Sequence, residues 1–388
     1  TPLLTTDHRP PTTPMRILVT GGAGYIGSHT VRQLLAGGHE VTVYDSLEQG
    51  HKQAVPAAAL VVGDLRDVDH LDQLLVVNRI EAVVHFAALA FVGESVTNPA
   101  KYYTNNLIYS LQLLDRCRRN GIQKFVFSST CATYGAPRQV PITEDEKQAP
   151  VNPYGNSKLA FERALSDYAG AYPFGFCALR YFNASGAAED GSIGEDHNPE
   201  THLIPLAFRA AAGKIPHVTV FGTDYPTPDG TCVRDYIHVW DLVEAHLVLL
   251  ENVKPGQGIF YNLGVGNGYS NREIIDAVQR VTGKKIPIVE SPRRPGDPLQ
   301  RGALELGDRR DLGVEDVGEN RDQEARAKRA DLGEAGDLLD WHMIGQLQSN
   351  KANRAAELFG VIESVDRESL VRELDKQGAR LGRRIPVL

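Results

Sequence analysis

Cysteine is scarce in this chain. Its four cysteines, Cys117, Cys131, Cys177 and Cys232, form no CxxC pair and no dense cluster, which excludes a disulfide framework or a zinc ribbon as the organising device. No metal site is assigned, and the compartment expected is the reducing cytoplasm. Long hydrophobic runs are missing as well. Nothing approaches the ~18 to 20 apolar residues of a membrane helix, and the opening TPLLTTDHRPPTTP lacks the apolar stretch of a secretory leader. Basic charge is also in short supply: 41 Lys+Arg face 49 Asp+Glu, a formal net charge of −8. Neither nucleic acid nor a membrane is therefore an expected partner. Residues 1–14, polar and proline-containing, have nothing to pack and are read as a disordered leader.

What is present divides unevenly. The length of 388 residues suggests two domains and a remnant of a third, at roughly 150 residues each. Of the last 90 residues 33 are charged, against 57 of the first 298, and those 90 hold only two aromatics, Trp341 and Phe359, and one proline, Pro386. Two differently built segments meet near Pro298, so residues 299–388 are read as a foreign tail. Before them, apolar runs at Arg16–Thr20, Glu40–Tyr44, Ala58–Val62, Ala82–Phe86 and Lys124–Ser128 alternate with helix-length stretches such as Ala100–Arg119. That alternation predicts an α/β fold with a doubly wound parallel sheet of Rossmann type.

The turn after the first run places glycines at Gly21, Gly24 and Gly27, between a strand and a helix. Missing side chains there let a pyrophosphate approach backbone N–H groups at a helix N-terminus. Asp45 ends the next strand 18 residues beyond Gly27. A carboxylate at that point accepts hydrogen bonds from an adenosine ribose and repels a 2′-phosphate, which favours NAD over NADP. Asp64, in Gly63-Asp64-Leu65, is a candidate adenine-side contact or a simple cap. Further on, Tyr154 and Lys158 stand at i and i+4 and share one helix face. A phenol is a poor base at neutral pH, and a neighbouring ammonium favours its ionised form. Ser128-Ser129-Thr130 closes another strand and puts hydroxyls at the sheet edge where such folds bind ligands. Singly, these are a tight turn, a chance pair and a helix cap; together they describe an oxidoreductive site.

The combination of Gly21–Gly27 with Asp45, His85-Phe86-Ala87-Ala88, Ser128-Ser129-Thr130, Tyr154/Lys158, Arg180-Tyr181-Phe182-Asn183, Val233–Val239 (VRDYIHV), Tyr261–Ser270 and Pro292–Pro298 resembles the extended short-chain dehydrogenase/reductase family, and within it the nucleotide-sugar 4-epimerases. The resemblance covers residues 15–298 or so. It implies a Rossmann domain for NAD over residues 15–180 and a smaller domain, mainly for the UDP-sugar, over 181–298. By position it implies that Tyr25, Ile26, Asp45, Asp64, Leu65, Phe86, Ala87, Asn105, Tyr154, Lys158 and Tyr181 or Phe182 surround NAD. Thr130 would bond the sugar 4-hydroxyl, and Asn183, Leu203, Phe221, Arg234, Arg294 and Asp297 would hold the substrate. Ala90 stands where some relatives carry a lysine.

The implied activity is interconversion of UDP-galactose and UDP-glucose through transient oxidation at C4 on tightly bound NAD, in a homodimer. A UDP-pentose or UDP-uronate 4-epimerase would share that chemistry. A 4,6-dehydratase would need an Asp-Glu pair after the threonine, and Cys131-Ala132 stands there instead. In the tail, GENRDQE (318–324) and WHMIGQLQSNK (341–351) resemble the pyridoxal-phosphate homeostasis proteins, whose fold is a barrel. Only a fragment of that barrel is present, without its Schiff-base strand or its phosphate loops. Binding of pyridoxal phosphate through the tail is the distant alternative, and the expectation is that the tail binds none.

Overall fold

Short apolar runs bounded by glycine or helix caps set the core of the computed structural model. It describes residues 13–138, 141–266, 268–293, 300–301, 316–319, 326, 340–343, 351–362 and 368–385, which fall into two units, Thr1–Leu306 and Gly307–Leu388. In the first unit, β1 (Arg16–Thr20) leads through the glycine turn into α1 (Tyr25–Ala36), and β2 (Glu40–Asp45) and β3 (Leu60–Val62) follow. After α2 (Val68–Val77) comes β4 (Ala82–His85). A helical region then runs from α3 (Val92–Thr97) through α4 (Pro99–Tyr102) and a π-helical turn, Tyr103–Ile108, into α5 (Tyr109–Arg119). Next are β5 (Lys124–Ser128), the long α6 (Pro153–Ala171) and β6 (Gly175–Tyr181).

These strands and the later β10 (Gly258–Leu263) form one seven-stranded sheet in the order β10-β6-β5-β4-β1-β2-β3, parallel at every pairing. It is the doubly wound Rossmann arrangement expected. The order in which strands are added reverses between β1 and β4, so the crevice for a ligand opens beyond Thr20 and His85. Strand residues are buried on both faces, as a sheet covered by helices requires: Ile17, Leu18, Val19, Val83, Val84, Phe125 and Val126 are all fully buried.

A smaller layer grows from the insertions around β6 and β10. β7 (Asn183–Ser185) pairs with β9 (Val233–His238), which also carries β11 (Gly268–Ser270) and β13 (Gln300–Arg301), while β8 (Val218–Phe221) pairs with β12 (Ile288–Ser291). Helices α7 (Leu203–Ala211) and α9 (Asn271–Thr282) close its separate core around Ala207, Val218, Val220, Ile275 and Ile286. Helix α8 (Val239–Asn252) follows β9 directly. In the second unit, strands Asp316–Glu319, Asp340–Met343 and Val361–Ile362 form a parallel three-stranded sheet in chain order. Helices Ala352–Leu358 and Glu368–Leu381 bury Ala352, Ala355, Phe359, Ile362, Leu370 and Leu374 together. Most of the 318–324 and 341–351 runs lies outside the described residues. Among the described residues no helix is long and apolar enough to cross a membrane.

Candidate active site

The reversal point is built from glycine because nothing larger fits. Gly21 has φ +72°, and a Cβ on it would come within 2.6 Å of the Ala87 backbone nitrogen; one on Gly27 would lie 2.3 Å from the Gly21 carbonyl oxygen. Gly24 is the N-cap of α1, whose first turn carries no side-chain cap and no acidic residue, so its dipole faces the crevice uncompensated. Asp45 accepts hydrogen bonds from the backbone N–H of Ala23 (2.9 Å) and Leu47 (2.8 Å). It thereby ties the glycine loop to the end of β2, with lone pairs to spare for a hydroxyl. Tyr25 and Ile26 are half-buried at the start of α1, and the Tyr25 hydroxyl donates to the Gly186 carbonyl at 2.7 Å. A cradle of this shape, bare of side chains and positive at the helix end, fits a dinucleotide pyrophosphate.

The other nucleotide-side candidates lie along the same sheet edge. Asp64 accepts from Arg66 N–H and pairs with its guanidinium at 2.8 Å, while Leu65 joins the sheet core. Phe86, just past β4, sets its ring 5.0 Å from that of His246 of α8 at a tilt of 39°, and Ala87 packs on the core beside it. Asn105 lies in the π-helical turn, its amide donating to Asn106 Oδ1, and Asn106 in turn holds Leu89 by both its backbone groups. Phe182 packs with Cys131, Tyr134 and Ile142, whereas the Tyr181 hydroxyl meets Ser128 Oγ at 2.5 Å.

The catalytic candidates converge at the end of β5. Asn152 caps α6 by accepting from Gly155 N–H, Pro153 occupies the first helical position, and Tyr154 and Lys158 follow one turn apart. Tyr154 is half-buried, while Lys158 is buried with its Nζ donating to the Ser128 carbonyl at 2.8 Å, 4.8 Å from the centre of the Phe127 ring. Burial pulls the Lys158 ammonium down to about 7, against the attraction of Glu162 one turn further along α6. Thr130 is buried and accepts from Ala132 N–H, so it caps the short turn Cys131–Thr133 as well as standing at the sheet edge. Behind Ser129 lies a network that the sequence reading did not assign: Glu162 accepts a hydrogen bond from the Ser129 hydroxyl at 2.5 Å and a two-point bond from Arg180, which also reaches Tyr134. Tyr134 donates to Asn262 of β10. Only its placement, one turn past Lys158 on the same face, signalled Glu162 in the sequence.

On the substrate side, Asn183 donates to the Asp235 carbonyl (2.9 Å) and Arg234 to the Val233 carbonyl, both half-buried on adjacent strands β7 and β9. Leu203 begins α7, packed on the smaller core, and Phe221 ends β8. Arg294 and Asp297 lie outside the described residues.

Residues 17–264 match the model of the NAD dependent epimerase/dehydratase family. A UDP-glucose 4-epimerase of Lacticaseibacillus casei is 51% identical over 286 residues, 73% of this chain and 86% of its own length. The structure of a UDP-glucose 4-epimerase from Brucella ovis in complex with NAD superposes with a TM-score of 0.74 at 49% identity, covering 77% of this chain and 92% of that one. Another, from Bifidobacterium longum with NAD+ and UDP, gives 0.73 at 39% identity with the same coverage.

Proposed function

The chain belongs to the NAD dependent epimerase/dehydratase family, and we propose that it interconverts UDP-galactose and UDP-glucose by transient oxidation at C4. The observation that carries this reading is the pair Tyr154 and Lys158, one turn apart on α6, with Lys158 anchored on the carbonyl of Ser128 at the sheet edge beside the glycine cradle. The residues present fit NAD: Gly21, Gly24 and Gly27 for the pyrophosphate, Asp45 for the adenosine ribose, and Lys158 for the other. Held there, NAD would supply the hydride acceptor and donor that oxidation and re-reduction at C4 require.

The chain's own residues do the rest. Tyr154 takes the 4-hydroxyl proton and gives it back, and the Lys158 ammonium favours its phenolate. Thr130 orients the same hydroxyl from the end of β5. Arg234, with Arg294, holds the pyrophosphate as a charge clamp, and Asn183 and Phe221 face the remainder of the nucleotide sugar. Firm binding at the remote UDP end leaves the hexose loose enough to turn over. With Cys131-Ala132 after Thr130, no carboxylate at those positions can protonate a leaving hydroxyl, which disfavours dehydration. Residues 15–180 then serve NAD and 181–298 mainly the UDP-sugar. A cytoplasmic location accords with four buried cysteines that form no disulfide. A homodimer accords with Tyr103 and Ile108, exposed apolar side chains of the π-helical turn.

The test is to incubate the purified chain with UDP-galactose, UDP-arabinose and UDP-galacturonate in turn, with no added reductant. UDP-glucose formed fastest, with NAD released only on denaturation, is the expected result. Net NADH, or a 4-keto-6-deoxy product, overturns it.

A further inference from the structure

Between β7 and α7 the sequence Glu195–His202 reads EDHNPETH, and five of its eight side chains are metal-ligand types, four of which converge. One donor atom each from Glu195, His197, Glu200 and His202 lie within 4.8 Å of one another. His202 Nδ1 stands 2.8 Å from Glu195 Oε1 and 3.4 Å from Glu200 Oε1. His197 Nδ1 stands 3.6 Å from Glu195 Oε1 and 3.6 Å from Glu200 Oε2. Those last two separations are too long for hydrogen bonds. Accordingly His197 Nδ1 and Glu200 Oε2 are buried with no hydrogen-bond partner, although the Glu200 side chain is only 1% exposed.

The two oxygens of Glu200 are treated differently. Oε1 accepts from the backbone N–H of Thr201 (2.8 Å) and His202 (2.9 Å), so the carboxylate is held in place. Oε2 is left facing the other donors. A buried carboxylate oxygen and imidazole nitrogen without partners are costly unless something fills the space between them. Four donors bound to one ion at ~2.0 to 2.2 Å in a tetrahedron stand about 3.4 Å apart, close to the 3.6 Å from His197 Nδ1 to Glu195 Oε1 and to Glu200 Oε2, while His202 Nδ1 lies closer to Glu195 Oε1 at 2.8 Å. From this convergence we propose that Glu195, His197, Glu200 and His202 form a binding site for a divalent transition-metal ion, with zinc the best match to two imidazoles and two carboxylates.

Such an ion is structural and not part of the C4 chemistry. The candidates for the oxidoreductive role, Thr130, Tyr154 and Lys158, lie elsewhere, just past β5 and on α6. Its effect is on the loop, which leads without a break from His202 into Leu203 and α7. The same loop is tied to the segment after β2, where His51 Nε2 meets the Asp196 carbonyl at 2.9 Å. The edge of His197 also meets the ring of Phe91, at 6.2 Å between centroids. An ion here fixes the start of the substrate-side helix against the dinucleotide half of the same unit.

The full chain, stripped with a chelator and dialysed, is titrated with zinc sulfate by equilibrium dialysis. One zinc per chain is expected, together with a rise of several degrees in the unfolding midpoint. Cobalt(II) in its place should give a tetrahedral visible spectrum without the thiolate charge-transfer band that the cysteines would produce. Glu200→Gln and His197→Gln, checked by circular dichroism for native secondary structure, should each weaken zinc at least tenfold. Should either variant fail to fold, the wild-type titration decides alone. Absence of stoichiometric zinc, a thiolate spectrum, or unchanged affinity in both folded variants overturns the site. No readout uses turnover, so either result leaves the proposed activity to its own test.

Discussion

Glu162 and Arg180 meet side by side inside the first unit, Arg180 Nε to Glu162 Oε1 at 3.0 Å and Nη2 to Oε2 at 2.8 Å, with both side chains almost wholly buried. The pair joins α6 to β6, and through Ser129 and Tyr134 it reaches β5 and β10. It therefore fixes the strand end that carries Ser128 and Thr130 relative to the helix that carries Tyr154 and Lys158.

Removing one partner of such a pair strands the other. Glu162→Gln should destabilise the chain by about 3 to 5 kcal/mol, the usual cost of an uncompensated buried charge. The double variant Glu162→Leu/Arg180→Met should cost less than that single change. Urea unfolding of the three proteins checks the order, and a double variant weaker than Glu162→Gln would mean the charges themselves hold the strand.

Tyr154→Phe should lower turnover by about 10² to 10⁴-fold while leaving the ring's packing and the bound NAD intact. The measurement is steady-state rate beside the NAD recovered from the denatured protein. Retention of more than roughly a tenth of the rate, well above that range, would remove Tyr154 from the role of base.

Arg234→Ala should act mainly on affinity, because a pyrophosphate is held alike in ground and transition states. Loss of one charge-assisted contact, about 1.5 to 3 kcal/mol, corresponds to roughly 10- to 150-fold in KM with kcat nearly unchanged. An equal fall in kcat would place Arg234 against the reacting sugar instead.

His85 provides the pH prediction. Its ring is buried between Thr20 Oγ1 (2.6 Å) and Ser110 Oγ (2.9 Å), and burial, with Lys158 nearby, pulls it down to about 3 from 6.5. The unfolded chain therefore binds a proton that the folded chain refuses between about pH 3 and 6.5. Stability from the neutral ring is fully present above 6.5 and is lost as the pH falls toward 3. His85→Gln should flatten that part of the stability profile in acid unfolding curves; an unchanged slope would assign the loss to carboxylates.

The sheet was legible because its strands are buried on both faces and so read as unbroken apolar runs, and the glycine cradle because its spacing is fixed by backbone contact. The run at Ala58–Val62 was longer than the strand it makes, which starts at Leu60 after a turn. The helix over 100–119 hid its π-helical turn, since apolar periodicity does not register one extra residue in a turn, and that turn is what places Asn105 and Asn106. Glu162 and Arg180 lie 18 residues apart on different elements, a separation that no local pattern announces. The Glu195–His202 run shows its ligand-type residues in the sequence, but only the fold brings one donor atom from each of four of them within 4.8 Å.

The pairing of β10 with β6 has a consequence for synthesis. Residues 182–257 separate the two strands, so β6 leaves the ribosome as the outermost parallel strand with one row of its N–H and C=O groups open. At about 5 to 20 residues per second, that edge waits roughly 4 to 15 s for its cover. Arg180, which lies on β6, meanwhile lacks the Asn262 that completes its Tyr134 contact. A nascent chain halted in that interval is the form of this protein most in need of a chaperone.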